Sequence, residues 1–285
     1  MAILSIQSHV AFGHVGNAAA VFPLQRLGHE VWPVHTVMFS NHTGYGSWRG
    51  PVFDAGAVKE VLQGIEDRGV LSQCDAVLSG YVGDQSIGLV ILDAVERARA
   101  ANARVVYACD PVMGDVGRGI YVRDGIPGFM RDNAVPAADV IFPNQFEVEL
   151  LTGLPVATLE QALAAGDALL ALGPQVVVIT SLARAEASRD EIEMLAVSAD
   201  GAWLVATPRL NMAVTPNGAG DATAALFTAF YLETATVPDA LARTADAVFA
   251  IFEATAAAAT RELQIVVAQD AIASGRIRYT VSKVR

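Results

Sequence analysis

Short apolar runs alternate with longer amphipathic stretches through most of the chain. The runs Ile3–Gln7, Val31–Val37, Ala76–Ser79, Val105–Cys109, Val140–Phe142 and Val176–Thr180 are nearly unbroken in apolar character, the pattern of parallel strands buried on both faces. Between them the spacing predicts helices over Asn17–Leu27, Ala55–Arg68, Ser86–Ala101, Phe146–Leu151 and Leu159–Leu172. Thr158-Leu-Glu-Gln161 reads as a capping box for the last of these, and Gly28 as the stop of the first, which Pro23 should kink or shorten. Beyond Ser181 the period changes. Glu193–Ser198 and Ala202–Ala206 flank Ala199-Asp-Gly201, a hairpin signal, and helices are predicted over Ala222–Leu232, Pro238–Ala258 and Val266–Ala273. The expected fold is one α/β domain over residues 1–285, with helices on both faces of a mostly parallel sheet and an antiparallel edge late in the chain.

Composition narrows the classes of function. The chain has 285 residues, 53% of them hydrophobic and 17% charged, enough for a sizeable core and too apolar for disorder. A formal net charge of −11 argues against nucleic acid or an anionic membrane as partner. It leaves room for a nucleotide, whose phosphates a cation and local backbone N–H groups can neutralise. Cys74 and Cys109 are the only cysteines, in no CxxC or paired framework, which points to a reducing, cytoplasmic setting. The N-terminus reads as a first strand, not a signal peptide. The apolar segment Val248–Ala259 is broken by Glu253 and Thr255 and is too short to span a bilayer.

Ligands of doubly wound sheets bind beyond the carboxyl ends of the strands. The first run is followed by Ser8-His9-Val10-Ala11-Phe12-Gly13-His14-Val15-Gly16-Asn17, which could grip a small polar ligand or be a plain loop with Asn17 as helix cap. Phe39-Ser40-Asn41-His42-Thr43-Gly44-Tyr45-Gly46 follows the second; its rings, hydroxyls, imidazole and amide suit a flat heteroaromatic ligand. Ser79-Gly80-Tyr81 adds a phenol at the same rim. Asp110, just past the fourth run, could hold Mg²⁺ or cap the turn before Pro111, and Gly117-Arg118-Gly119 beyond it could move as a flap. Asn144 and Glu147 open a helix, where an acid also complements the dipole. Thr180-Ser181 could bond phosphate. His9, His14, His29, His35 and His42 show no zinc-site spacing.

The sharpest signal is Pro216-Asn217-Gly218-Ala219-Gly220-Asp221-Ala222-Thr223, which opens an apolar helix. A small-residue turn at a helix start leaves N–H groups free for an anion, and glycines let the backbone approach it closely. Asp221 stands beside that cradle. An anion cradle next to a carboxylate suits phosphoryl transfer to an alcohol, the acid taking the hydroxyl proton.

With Ile6-Gln-Ser-His-Val10, Gly13-His-Val-Gly-Asn17, Phe39-Ser-Asn-His-Thr-Gly-Tyr45, Cys109-Asp-Pro-Val112 and Pro143-Asn-Gln-Phe-Glu147 in place, the chain resembles the pyridoxal kinases of the ribokinase-like superfamily over essentially its whole length. The resemblance implies a three-layer α/β/α domain with flap loops, and ATP-dependent phosphorylation of the 5′-hydroxyl of pyridoxal to pyridoxal 5′-phosphate in vitamin B6 salvage. It implies that Ser8, Thr43 and Tyr81 contact the pyridine ring, with Phe39, His42 and Gly44 beside them. Asp221 would be the base, and Gly218, Ala219 and Gly220 the anion hole. Phe142, Asn144, Thr180 and Thr207-Pro208-Arg209-Leu210 would border ATP, with Asp110 and Glu147 on the nucleotide side helping to hold Mg²⁺. The resemblance also implies a homodimer and leaves open a monovalent cation such as K⁺.

Three positions depart from the family pattern. Thr180 stands where bacterial relatives can carry lysine, Arg209 stands where an apolar residue is common, and the flap from Asp115 to Tyr121 contains no cysteine. Two other readings stay open: a hydroxymethylpyrimidine kinase, which shares the scaffold, and a non-catalytic pyridoxal or pyridoxal phosphate carrier or sensor.

Overall fold

The computed structural model describes residues 1–285. Its strands are β1 (Ala2–Val10), β2 (Glu30–Phe39), β3 (Cys74–Ser79), β4 (Val106–Cys109), β5 (Gly114–Asp115), β6 (Gly119–Ile120), β7 (Val140–Ile141), β8 (Val176–Leu182), β9 (Glu191–Ser198), β10 (Gly201–Pro208) and β11 (Ser282–Lys283). Nine of them form one sheet in the order β11-β10-β9-β8-β7-β4-β3-β1-β2. From β2 to β8 the pairs are parallel; β9, β10 and β11 add the antiparallel edge. β5 and β6 make a separate two-residue hairpin.

The helices are α1 (Asn17–Arg26), α2 (Ala55–Glu66), α3 (Gln85–Ala101), α4 (Ile126–Phe129), α5 (Val135–Ala137), α6 (Gln145–Thr152), α7 (Leu159–Leu170), α8 (Ala219–Thr234), α9 (Val237–Ala257) and α10 (Gln269–Ala273). One apolar cluster packs α2, α3, α6 and α7 on one face of the sheet, and a second packs α1, α8, α9 and α10 on the other. This is the predicted three-layer architecture. The strands β1, β3, β4, β7 and β8 are covered on both sides, which explains their nearly unbroken apolar runs, while the edge strand β2 leaves Glu30, Pro33 and Met38 exposed.

Several local expectations change. α1 continues past Pro23 to Arg26, because Leu27 N–H still reaches the Pro23 carbonyl (3.1 Å) and only the bond that proline cannot donate is lost. Gly28 at φ 87° then closes it, its N–H on Gln25 O and that of His29 on Leu24 O. Asn17 is not the cap; Gly16 is. The buried Asn17 amide instead accepts from Ser5 Oγ (2.7 Å) and donates to Val34 O (3.0 Å), tying α1 to β1 and β2. Thr158 caps α7, but Gln161 reaches back to Ala157 N (2.9 Å) rather than to the cap residue. The last predicted helix shrinks to Gln269–Ala273, with exposed Val266 and Val267 in the turn before it. β11, the β5–β6 hairpin and the helical turns of 126–137, which include a π stretch at Met130–Ala134, had no clear sequence signal.

Candidate active site

β1 is the point where the chain order reverses, with β2 on one side and β3 on the other. Doubly wound sheets bind ligands in the crevice beyond the strand ends at such a point, and there the loops after β1, β2 and β4 approach the turn that opens α8. α8 begins at Ala219, three residues earlier than the apolar pattern predicted, so Asp221 lies in its first turn. Gly218 caps it with φ 89° and ψ 0°, a conformation glycine adopts freely. The N–H groups of Ala219, Gly220 and Asp221 donate to no protein acceptor. Three free N–H groups at the positive end of a 16-residue helix form an anion site.

Gly218 is also fixed by its neighbour, since a Cβ there would overlap the carbonyl oxygen of His14. Gly220 has more room; its nearest neighbour would be Asp110 Oδ2 at 3.6 Å. Gly218→Ala is therefore expected to displace the β1–α1 loop and to destabilise the protein by about 1–3 kcal/mol. Gly220→Ala should leave the melting temperature nearly unchanged while narrowing the anion site. Equal melting temperatures for the two variants would contradict this account.

Asp221 is half-buried, and burial pushes its carboxyl up to about 6 against the lowering effect of the nearby Gly16 N–H. Gly16 packs in turn against the Ser8 side chain, with no space for a Cβ between them. Ser8, Gly16 and Asp221 are thus consecutive layers. On the other flank, His42 Nδ1 accepts from Gly44 N (3.1 Å), which leaves the proton of the neutral ring on Nε2. A Cβ on Gly44 would lie 3.7 Å from the amide of Asn217, so the β2 loop tip also touches the start of the anion turn. Thr43 opens the short 3₁₀ turn Thr43–Tyr45 and is exposed. Phe39 tilts towards Trp48 (centroids 6.2 Å apart), and the Tyr81 carbonyl accepts from Thr36. Both stand on the rim, with no contact to Asp221.

Asp110 is 5% exposed and its carboxylate accepts no hydrogen bond from the protein. Burial first, then the charges of Glu147 and Asp221, hold it well above the usual carboxylate range. Glu147 is differently placed. Its Oε2 accepts from Asn144 N (2.9 Å), completing a capping box on α6, and its Oε1 accepts from Met113 N (2.8 Å) and Gly114 N (3.4 Å). Burial still pushes it up to about 7. Asn144 caps α6 through Oδ1 and donates from Nδ2 to Gly114 O (2.9 Å), while Thr180 N–H donates to Pro143 O (3.0 Å). Phe142 is a core residue, its ring edge-on to Phe227. The Thr207–Leu210 segment lies at the same end of the sheet as Thr180, because β9 runs antiparallel between β8 and β10. Arg209 donates to the carbonyls of Arg189 (3.0 Å) and Glu191 (3.1 Å), so it pins the β8–β9 connection.

Two residues outside the predicted set enter the site. Tyr121, just after β6, is half exposed at 49%, and partial burial together with the charges of Glu147, Asp110, Asp115 and Asp221 raises its phenol. Arg118, at the tip of the β5–β6 hairpin, reaches Asn217 Oδ1 (3.3 Å) and helps to hold His42 neutral. The centre of the site thus carries three carboxylates, and its cations stand at the rim.

The model of the family described as phosphomethylpyrimidine kinase matches residues 54–264. A protein of Rubrobacter xylanophilus, named pyridoxal kinase PdxY, is 59% identical over 99% of this chain and 97% of its own length. The chain belongs to the pyridoxal kinase family. A second pyridoxal kinase PdxY, of Corynebacterium diphtheriae, is 53% identical over the full length of both chains. The solved structure of the pyridoxal kinase of Leishmania donovani, in complex with ADP and pyridoxamine, matches with a TM-score of 0.92 at 29% identity, over 100% of this chain and 99% of that one. The match to the pyrimidine-kinase model starts at residue 54, beyond the loops at Ser8 and Phe39–Tyr45.

Proposed function

We infer that this protein is a pyridoxal kinase that transfers the γ-phosphoryl group of ATP to the 5′-hydroxyl of pyridoxal. The observation that carries the reading is the α8 N-terminus, where three unpaired N–H groups stand beside the Asp221 carboxylate, in a chain 59% and 53% identical to two pyridoxal kinases over nearly whole lengths. Asp221 would accept the hydroxyl proton while the N–H groups hold the transferring phosphate; alignment and charge stabilisation supply most of the rate. Ser8, Thr43, Gly44, His42, Phe39 and Tyr81 would bound the acceptor. Asn144, Thr180 and Thr207–Leu210 would border the nucleotide, with Phe142 supporting from behind.

Asp110, buried and free of hydrogen bonds, fits Mg²⁺ as a direct ligand. Glu147, with three N–H groups already on its carboxylate, fits as a ligand through water. Bound there, the ion would offset the negative charge of the phosphates. No helix is long and apolar enough to cross a membrane, and both cysteines are free and buried, in keeping with a cytoplasmic enzyme. The reading includes a homodimer, for which exposed Met38, Trp48 and Val52 beside the edge strand β2 offer an apolar surface. A single domain accords with a main sheet that runs from Ala2 to Lys283.

ADP release measured with pyridoxal, pyridoxine, pyridoxamine and hydroxymethylpyrimidine tests the assignment. Turnover with hydroxymethylpyrimidine alone would move it to the pyrimidine kinases, and saturable pyridoxal binding without ADP release would make the protein a carrier. The pH profile is a second check. A carboxylic acid raised to about 6 is protonated below that value and cannot accept a proton, so kcat/KM should fall about tenfold per unit as pH drops below it. A flat profile from about pH 5 to 7 would remove Asp221 from that role.

A further inference from the structure

Glu262, in the connection between α9 and α10, belongs to none of the motifs, yet it touches both loops on the acceptor side of the crevice. Its Oε1 accepts from the Tyr45 hydroxyl in the β2 loop. Its Oε2 accepts from His14 N (3.1 Å) in the β1 loop. Gly13, at φ 92°, lies so close that a Cβ would overlap the same carboxylate. The adjacent Arg261 stacks its guanidinium over the Tyr45 ring (3.9 Å to the centroid) and points Nη2 at Gly44 O (3.4 Å). Phe12 closes the group edge-on to Tyr45 (6.2 Å). The β1 loop that Glu262 holds is the one whose His14 carbonyl abuts Gly218 and whose Gly16 N–H lies near Asp221.

We propose that Glu262 is a positioning residue that clasps the β1 and β2 loops together and so sets the distance between the acceptor pocket and the anion turn of α8. The inference rests on the kinase reading for its kinetic consequence, but its structural content does not. A charge-assisted bond to a phenol and another to a backbone N–H from one carboxylate fix the outer parts of two loops whose bases are already paired by Ala11 N–H on Phe39 O (2.8 Å) and Phe12 N–H on Ser40 O (2.9 Å). Arg261 covers one face of the Tyr45 ring. The nucleotide side, built on α6, β8 and β10, has no contact with this group, so the effect falls on one substrate.

Three variants test it: Tyr45→Phe, which removes one arm at a half-buried loop tip; Glu262→Ala, which removes both; and Glu262→Gln, whose amide can still serve both partners. Glu262→Ala is expected to raise the KM for pyridoxal about tenfold, with the KM for ATP unchanged, Tyr45→Phe to give part of that rise, and Glu262→Gln to recover most of the loss. Amide hydrogen exchange of residues 12–16 and 42–46 in the substrate-free protein should quicken together in Glu262→Ala and in Tyr45→Phe. Unchanged exchange in both loops overturns the clasp whatever the enzyme phosphorylates. Equal rises in both KM values would mark Glu262 as a residue of general stability and overturn the positioning role. Absence of pyridoxal turnover in the unaltered protein would defeat the kinase reading, and the exchange result would still decide the clasp.

Discussion

Replacing Asp221 with asparagine is expected to lower kcat by about 10²–10⁴-fold, the range a positioned general base contributes, while leaving ATP affinity close to its original value. Asparagine keeps the shape of the side chain and an acceptor oxygen towards the Gly16 N–H, so the loop architecture should survive. What is lost is a group able to take a proton: an amide has no basicity in the neutral range. Loss of a group that acts only as the transition state forms lowers kcat and kcat/KM alike. Single-turnover kinetics with saturating ATP and pyridoxal, together with calorimetric titration of ATP, separates chemistry from binding. Turnover near the unaltered rate would exclude Asp221 as the base.

Asp110→Asn should move stability and activity in opposite directions. In the ligand-free protein Asp110 is a buried acid without a hydrogen-bonding partner, close to two other carboxylates. Asparagine keeps the shape and removes the charge, which should raise the melting temperature by about 2–4 °C for each kcal/mol of repulsion relieved in a domain of this size. The sign follows from linkage. A carboxyl whose pKa is raised by folding costs stability above that raised pKa and costs none once pH falls below the unfolded value, so the advantage of the variant should be larger near about pH 8 than near about pH 5. The same change should raise the Mg²⁺ concentration needed for half-maximal rate by about ten- to a hundredfold, as loss of a metal-site partner commonly does. A variant less stable than the parent at both pH values would mean that Asp110 has a structural partner.

Much of this was legible in the chain. The parallel strands announced themselves because burial on both faces removes polar residues from Val176–Thr180 and its counterparts, and the anion turn did so because Gly218 and Gly220 stand directly before an acid and an apolar helix. Residues that act through distant contacts were not legible. Glu262 meets Tyr45 across 217 positions, and nothing local in Arg261-Glu262-Leu263 marks it. Tyr121 and Arg118 depend on how a two-residue hairpin folds back over the site, and β5 and β6 are too short to carry a period. Arg209 was an unexplained departure in sequence, and only the β9–β10 register shows that its guanidinium is spent on backbone carbonyls. Glu147 was ambiguous between capping a helix and serving a ligand. The structure shows the first role complete and leaves one lone pair for the second.

That threefold grip of Glu147 has a mechanical side. By holding the N–H groups of Met113 and Gly114 and capping α6 at once, it makes the base of the hairpin a fixed fulcrum, bolted to the layer of helices behind the sheet. Any swing must then come from the outer turn, where Gly117 (φ 85°) and Gly119 (φ 69°) have open space around them. The lever so defined is only a few residues long, with Arg118 at its tip. Were that turn to open for substrate, its travel would be short and its return to Asn217 well aimed, and the cost would be the ordering of one turn instead of the motion of a domain.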